Sequence, residues 1–256
     1  MHVLITNDDG VDAPGLLALA QAMRSMADVT VLAPDHNWSA SGHIKTLHRP
    51  LRVWQTVLSD GSPAMSTDGA PSDCVALAVL GLVDKPIDLV VSGINPHANV
   101  GHDVTYSGTV TAAMEAVISD LPALAVSLDS MDVPTSVEAY RTAGDIARLL
   151  SERVLQGRLP PAVFLNVNVP LLPRDELRGI VLTRQGLRVY RDALIRREDP
   201  RGRPYYWIGG EAPTGILEVG TDLWALSEGW VSVTPLQLDL TAYPALESLT
   251  ALTLPI

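Results

Sequence analysis

His2-Val-Leu-Ile-Thr6 is followed at once by Asn7-Asp8-Asp9-Gly10. The first five residues are a short, β-rich apolar run closed by turn formers, the pattern of a buried strand. Open α/β sheets bind their ligands outside the carboxyl ends of the strands, where this turn would carry its two acids. Adjacent carboxylates repel each other, so keeping both ionised favours a cation beside them. The same four residues are also ordinary turn chemistry. The segments that follow must separate the two readings.

Strand, loop and helix alternate outward from this stretch to about residue 130. Pro14-Gly15 opens a helical stripe at Leu16, Leu19, Ala20, Met23 and Met26. Strands are expected at 29–33, 87–91 and 124–128, and helices at 70–83 and 109–119. Short strands separated by helices imply parallel pairing through right-handed crossovers. The expected fold is α/β: a three-layer, doubly wound, mostly parallel sheet of Rossmann-like type. The later half is less regular. A helix at about 136–156 and a strand at 163–167 precede a strand at 179–183, an arginine-rich stretch and an aromatic run at 205–208, which read as hairpins. A last strand is expected at 230–234, then an irregular or helical tail over 235–256. Residues 1–130 are thus expected to hold the core and its functional loops. Residues 131–256 complete the core and add a smaller hairpin-containing region.

The 256 residues are 47% hydrophobic and 18% charged, the balance of a globular chain with a sizeable core. No apolar run approaches the roughly 20 residues that span a bilayer. The chain enters a strand without a basic leader, so no secretory signal and no membrane partner are expected. A single cysteine, Cys74, excludes an internal disulfide framework and fits a reducing cytoplasm. A formal net charge of −11 argues against duplex nucleic acid as a partner. Small anionic substrates stay open if a metal neutralises the site locally.

Three loops after strands carry small oxygen-bearing residues. One holds Asp8 and Asp9, and another runs from Ala33 to His43 with Ser39 and Ser41. The third runs from Ser92-Gly-Ile-Asn95 through Asn99, Gly101 and Asp103 to Tyr106-Ser-Gly-Thr109. Carboxylates, an amide oxygen and a hydroxyl are hard donors suited to Mg²⁺, Mn²⁺ or Ca²⁺. No Cys or His set with zinc spacing accompanies them. Ser107-Gly108-Thr109 runs straight into a helix, whose exposed N–H groups and dipole make a phosphate seat. Plain N-capping by Ser107 or Thr109 is compatible with that role. A metal clamp beside a phosphate seat points to phosphoryl transfer to water, by an activated water or through an attacking carboxylate.

Residues 4–15, Ala33-Pro-Asp35 with Ser39-Ala-Ser-Gly42, Ser92-Gly-Ile-Asn95 and residues 103–113 resemble the SurE family of stationary-phase survival proteins. Gly69-Ala-Pro-Ser-Asp-Cys-Val75 and residues 229–236 extend the resemblance over nearly the whole chain. The resemblance implies a divalent-metal-dependent phosphatase that hydrolyses nucleoside 5′-monophosphates, with 3′-nucleotides or short polyphosphate as further substrates of some members. It places metal ligands at Asp8, Asp9, Ser39 and Asn95, with Asp8 and Asp9 as the catalytic pair. It places phosphate contacts at Asn99, Ser107, Gly108 and Thr109. One Mg²⁺ or Mn²⁺ per subunit, and a homodimer or homotetramer built by exchange of C-terminal segments, are implied with it. Pro96-His97-Ala98-Asn99 departs from the family, which has a glycine before the second asparagine, and so restricts the backbone there.

Two other classes share parts of this pattern. A haloacid-dehalogenase-type phosphatase needs Asp-x-Asp with the first Asp as nucleophile, and Asn7 stands at that position. A non-catalytic nucleotide-sensing or metal-binding module would keep the site without turnover. Several residues have a structural reading beside a functional one. The arginines from Arg184 to Arg203 read as a basic arm toward substrate or as an interfacial hairpin pairing with acids of a neighbouring subunit. Asp68 and Asp73 read as support for the site or as helix capping, and Cys74 as a core residue. Trp38 reads as a cover for a base or for its own loop. His97 reads as a substrate contact or as a solvent-facing loop residue.

Overall fold

The structure is a computed structural model that describes residues 1–157 and 159–250. In chain order it contains β1 (His2–Thr6), α1 (Pro14–Arg24), β2 (Asp28–Pro34), β3 (Val53–Val57), β4 (Pro63–Thr67), α2 (Pro71–Leu77), β5 (Leu89–Asn95), α3 (Gly108–Ile118), β6 (Ala123–Asp129), α4 (Arg141–Gly157), β7 (Val163–Pro170) and β8 (Ile180–Leu182). There follow β9 (Arg188–Glu198), β10 (Pro204–Gly215), α5 (Asp222–Ser227), β11 (Val231–Gln237) and α6 (Tyr243–Ser248).

Nine of these strands form one sheet in the order β3-β4-β2-β1-β5-β6-β7-β11-β8. From β4 to β7 the pairing is parallel, while β3 and β11 run against their inner neighbours. The interior strands are buried on both faces because successive side chains alternate between two apolar layers. Val3 and Ile5 of β1 pack with α1 and α4, whereas Leu4 packs with α2 and α3. Leu89 and Val91 against Val90, and Leu124 and Val126 against Ala123 and Ala125, repeat the pattern on β5 and β6. The three-layer, doubly wound expectation is met.

Most expected elements fall within a few residues of their places. The helix expected at 70–83 is α2 followed by a wider turn over Ala78–Leu82, with Gly81 at φ +112° ending the regular path. The strand expected at 87–91 starts later and runs through Asn95, which places that residue at the carboxyl end of β5, toward the site. The arginine-rich stretch and the aromatic run form one antiparallel ribbon, β9–β10, separate from the main sheet. The pair β3–β4 was not expected. It is half exposed and polar-interrupted, so it lacks the apolar signature of the inner strands. Within the tail, 235–237 continue β11 and 243–248 are helical; residues 251–256 lie outside the described residues. No described helix is long and apolar enough to cross a membrane.

Two glycines set approaches that matter for the site. A Cβ on Gly15 would lie 2.1 Å from the Ile94 carbonyl oxygen, so only glycine lets α1 start against β5. Gly108 opens α3, and a Cβ there would stand 2.7 Å from Asp8 Cβ.

Candidate active site

The turn after β1 is tied by Asn7, which is fully buried. Its Nδ2 donates to the Gly10 carbonyl at 3.0 Å, and the Gly10 N–H donates to its Oδ1 at 3.2 Å. Gly10 sits at φ +101°, which the turn requires. Asn7 thereby builds the turn that presents Asp8 and Asp9, so turn chemistry and site belong to one device.

Asp8 is 3% exposed and faces the start of α3. The Thr109 hydroxyl donates to Asp8 Oδ1 at 2.5 Å, and the Gly108 and Thr109 N–H groups also reach its carboxylate. Burial raises the Asp8 pKa, and these donors oppose the rise. Asp9 has no such set; burial, then the neighbouring Asp8 charge, push it up to about 7. The Asn37 amide approaches Asp9 Oδ1 at 3.4 Å. Two raised carboxylates with no lysine or arginine paired to them among the described residues are what a bound divalent cation relieves.

The second loop is strapped to the first. The Trp38 N–H donates to the Asp8 carbonyl at 2.7 Å, and the Ser39 N–H donates to Asn37 Oδ1 at 2.7 Å. Trp38 lies 5.1 Å from the His36 ring and covers its own loop. Asn95, at the end of β5, donates through Nδ2 to the His97 carbonyl at 2.5 Å, which leaves its side-chain oxygen as a donor atom for a cation. Asp8, Asp9, Ser39, Asn95, Asn99 and Ser107 share one cleft of about 370 Å³, within the size range of small-molecule sites. No group of three or more His, Cys, Asp or Glu side chains gathers among the described residues. The two carboxylates share this cleft with the neutral oxygens of Ser39 and Asn95, a set of hard donors whose chemistry fits Mg²⁺ or Mn²⁺.

Ser107 caps α3, its Oγ accepting from the Val110 N–H at 3.1 Å, so the capping reading of this residue holds. Asn99 is 8% exposed and its polar groups point largely inward. Its Nδ2 donates to Ser127 Oγ at 2.9 Å, its N–H donates to Asn168 Oδ1 at 2.8 Å, and its carbonyl accepts from Asn166 and Asn168. The loop that lacks the family glycine is thus held from β6 and β7. His97 is exposed on the cleft wall, with Nδ1 at 2.9 Å from the Ser130 carbonyl.

Other sequence candidates lie elsewhere. Asp73 caps α2 and accepts from Thr46, and Asp68 pairs with Arg49 at 2.8 Å. Cys74 is fully buried, and burial drives its thiol pKa far up. Arg184, Arg191 and Arg196 pair with Glu218, Glu211 and Glu198 of their own chain. Arg188 is different, since it reaches the cleft and binds Asp103. Sequence reading missed it because it looked like one arginine among seven. Tyr106 and Val133 also line the cleft. A larger cavity of about 620 Å³ lies between Met1, Leu155 and Val163, at the amino ends of the strands and away from every oxygen donor above.

The family described as "Survival protein SurE" matches residues 3–192. Over 249 residues the chain is 51% identical to the 5′-nucleotidase SurE of Chloroflexus aggregans, covering 97% of this chain and 98% of that protein. It is 49% identical to the 5′-nucleotidase SurE of Geobacter sulfurreducens, covering 97% and 92%. The crystal structure of the SurE protein from Aquifex aeolicus superposes with a TM-score of 0.82 at 39% identity, covering 98% of this chain and 99% of that one. The matched span contains the Asp8–Asp9 turn, the Ser39 loop, Asn95 and the start of α3, and the chain belongs to the SurE family.

Proposed function

We propose that this chain is a divalent-metal-dependent 5′-nucleotidase, hydrolysing nucleoside 5′-monophosphates to nucleoside and phosphate, with 3′-nucleotides and short polyphosphate as further substrates. One observation carries the reading: two adjacent carboxylates and the start of a helix meet in one cleft, with Thr109 bonded to Asp8 at 2.5 Å. The names of the relatives support it. Asp8, Asp9, Ser39 and Asn95 would hold one Mg²⁺ or Mn²⁺ per subunit. When bound, such an ion polarises a phosphoryl oxygen and offsets the charge of the dianion.

The chain's own residues do the rest. Asp8 is oriented by Thr109, which fixes the carboxylate before substrate arrives. Ser107, Gly108 and Thr109 set the positive end of α3 behind the cleft, where its dipole draws in a phosphate monoester, with Ser107 on the cleft wall and Thr109 acting through Asp8. Asn99 supports the wall of that seat. In the net reaction water adds to phosphorus and gives up a proton, the ester P–O bond breaks, and the leaving oxygen takes up a proton to depart as the nucleoside hydroxyl. The test is phosphate release from AMP, GMP and 3′-AMP, with EDTA or with added Mn²⁺ or Mg²⁺, for wild type and Asp8→Asn. Metal-dependent release lost in the variant is expected. Equal release with EDTA, or full activity in Asp8→Asn, overturns the reading.

Assembly and location belong to the same proposal. The β9–β10 ribbon stands off the main sheet with Leu194 72% and Ile208 85% exposed, which suits a homodimer or homotetramer that uses this region. A cytoplasmic site of action fits the single buried cysteine.

A further inference from the structure

The turn that delivers the phosphate seat is held from outside the core. Gly101–Thr105 forms a single tight turn, and the Asp103 carbonyl at its centre accepts from the N–H groups of Tyr106 at 3.0 Å and Ser107 at 3.2 Å. The side chain of Asp103 faces the root of the ribbon. Arg188 Nε donates to its Oδ2 at 2.7 Å, and the Tyr190 hydroxyl donates to its Oδ1. Both carboxylate oxygens are therefore occupied, and Asp103 serves as a strut.

The start of the same turn is pinned from the same side. Gln185 Nε2 donates to the Gly101 carbonyl at 2.9 Å. The Gly101 N–H donates to Asp222 Oδ2 at 2.8 Å, while the Gly186 N–H takes Asp222 Oδ1 at 2.7 Å. Asp222 is fully buried. A Cβ on Gly101 would lie 2.7 Å from the Gly186 carbonyl oxygen, so the two backbones touch. These bonds join residues 101–103 to residues 185–222, more than eighty positions later in the chain.

We propose that Gln185, Arg188, Tyr190 and Asp222 are positioning residues of the active site, which set the 101–107 turn and through it the phosphate seat at the start of α3. The ribbon root is then a working part of the site. The proposal rests on the phosphatase reading above. A displacement of about 1 Å at a reacting group costs up to about 100-fold in rate, so loosening these pins lowers turnover more than substrate affinity.

The test uses the full chain with Tyr190→Phe, Gln185→Leu and the double variant, neither residue lining the cleft. Arg196→Gln, elsewhere on the ribbon, is the control. Turnover on AMP and on p-nitrophenyl phosphate is measured with Mn²⁺, beside amide hydrogen exchange over 101–109. Expected is a fall in kcat of about 10- to 100-fold in the double variant on both substrates, with KM little changed. Exchange should quicken over 101–107 while the sheet stays protected, and the control should match wild type. Loss of turnover without local exchange, local exchange without loss of turnover, or exchange quickening throughout the sheet each overturns the proposal. A rise in KM for AMP alone, with kcat intact, overturns it too. If the wild type releases no phosphate from any ester, the phosphatase reading is what fails, and exchange over 101–109 alone decides whether the pins hold the turn.

Discussion

Asp8 shows how a single residue is made functional by its neighbours. Its carboxylate is buried, desolvated and aimed at α3 because Gly108 has no side chain to keep it away. Gly108→Ala would place a Cβ 2.7 Å from Asp8 Cβ. We expect that variant to lose about 1–3 kcal/mol of stability by overpacking, and to lose at least about 10-fold in activity as Asp8 shifts. Urea unfolding and phosphate release measure the two effects. Thr109→Val removes the hydroxyl that orients Asp8 without changing the shape of the helix start. Removal of such an orienting partner costs about 10- to 100-fold in metal affinity or activity. Titration of Mn²⁺ against turnover should show the loss; an unchanged Mn²⁺ dependence would mean Thr109 orients nothing.

At the scale of elements, α3 is held at its start by the site and along its length by Glu115. That carboxyl is 3% exposed and takes His43 Nε2 at 3.0 Å and Lys45 Nζ at 2.9 Å, so it fastens the segment after the Ser39 loop onto the helix. The hydrogen bond from His43, and then that from Lys45, hold its pKa below the ordinary 4.5. The sign follows from linkage: a carboxyl with a lowered folded pKa stabilises fully above its unfolded value and loses that contribution as pH falls through the folded one. Glu115→Gln should therefore cost about 1–3 kcal/mol near neutral pH, with the difference from wild type shrinking as pH drops below 4.5. Chemical denaturation across pH 3–7 checks both halves, with those endpoints set only by the roughly four-unit span of carboxylate titration. A difference that persisted unchanged at the acid end would show that the ion pair is not its source.

On the scale of the whole molecule, the outer part of the ribbon stands apart from the main sheet and is the surface proposed above for assembly. Leu194 and Ile208 are cross-strand partners on one exposed face. We expect the double substitution Leu194→Asp and Ile208→Asp to shift the sedimenting species toward smaller assemblies while the melting temperature of the dissociated chain stays close to that of wild type. Sedimentation velocity with differential scanning calorimetry reads both. An unchanged mass would show that this face of the ribbon holds no subunit contact. Asp8→Asn and Asp9→Asn should leave any such assembly intact, since the cleft and the outer ribbon face are separate surfaces.

Much of this protein was legible in its local sequence. Apolar runs of strand length, helical stripes and the Asp8-Asp9 turn are short-range patterns, and short-range sterics and burial turn them directly into elements. They placed the core strands, the long helices and the oxygen-rich loops, and the ordered motifs named the family. Boundaries moved where the chain had a reason beyond local pattern: β5 runs on to Asn95, and β3–β4 forms at an edge where half-exposed strands carry mixed side chains. Tertiary structure alone decided the partners of distant residues. It committed Asn99 to β6 and β7, turned Arg184, Arg191 and Arg196 onto acids of their own chain, and set Arg188 and Tyr190 on Asp103. No spacing in the sequence encodes those contacts, because they depend on how the whole sheet brings residue 103 to the root of a ribbon that begins at residue 188.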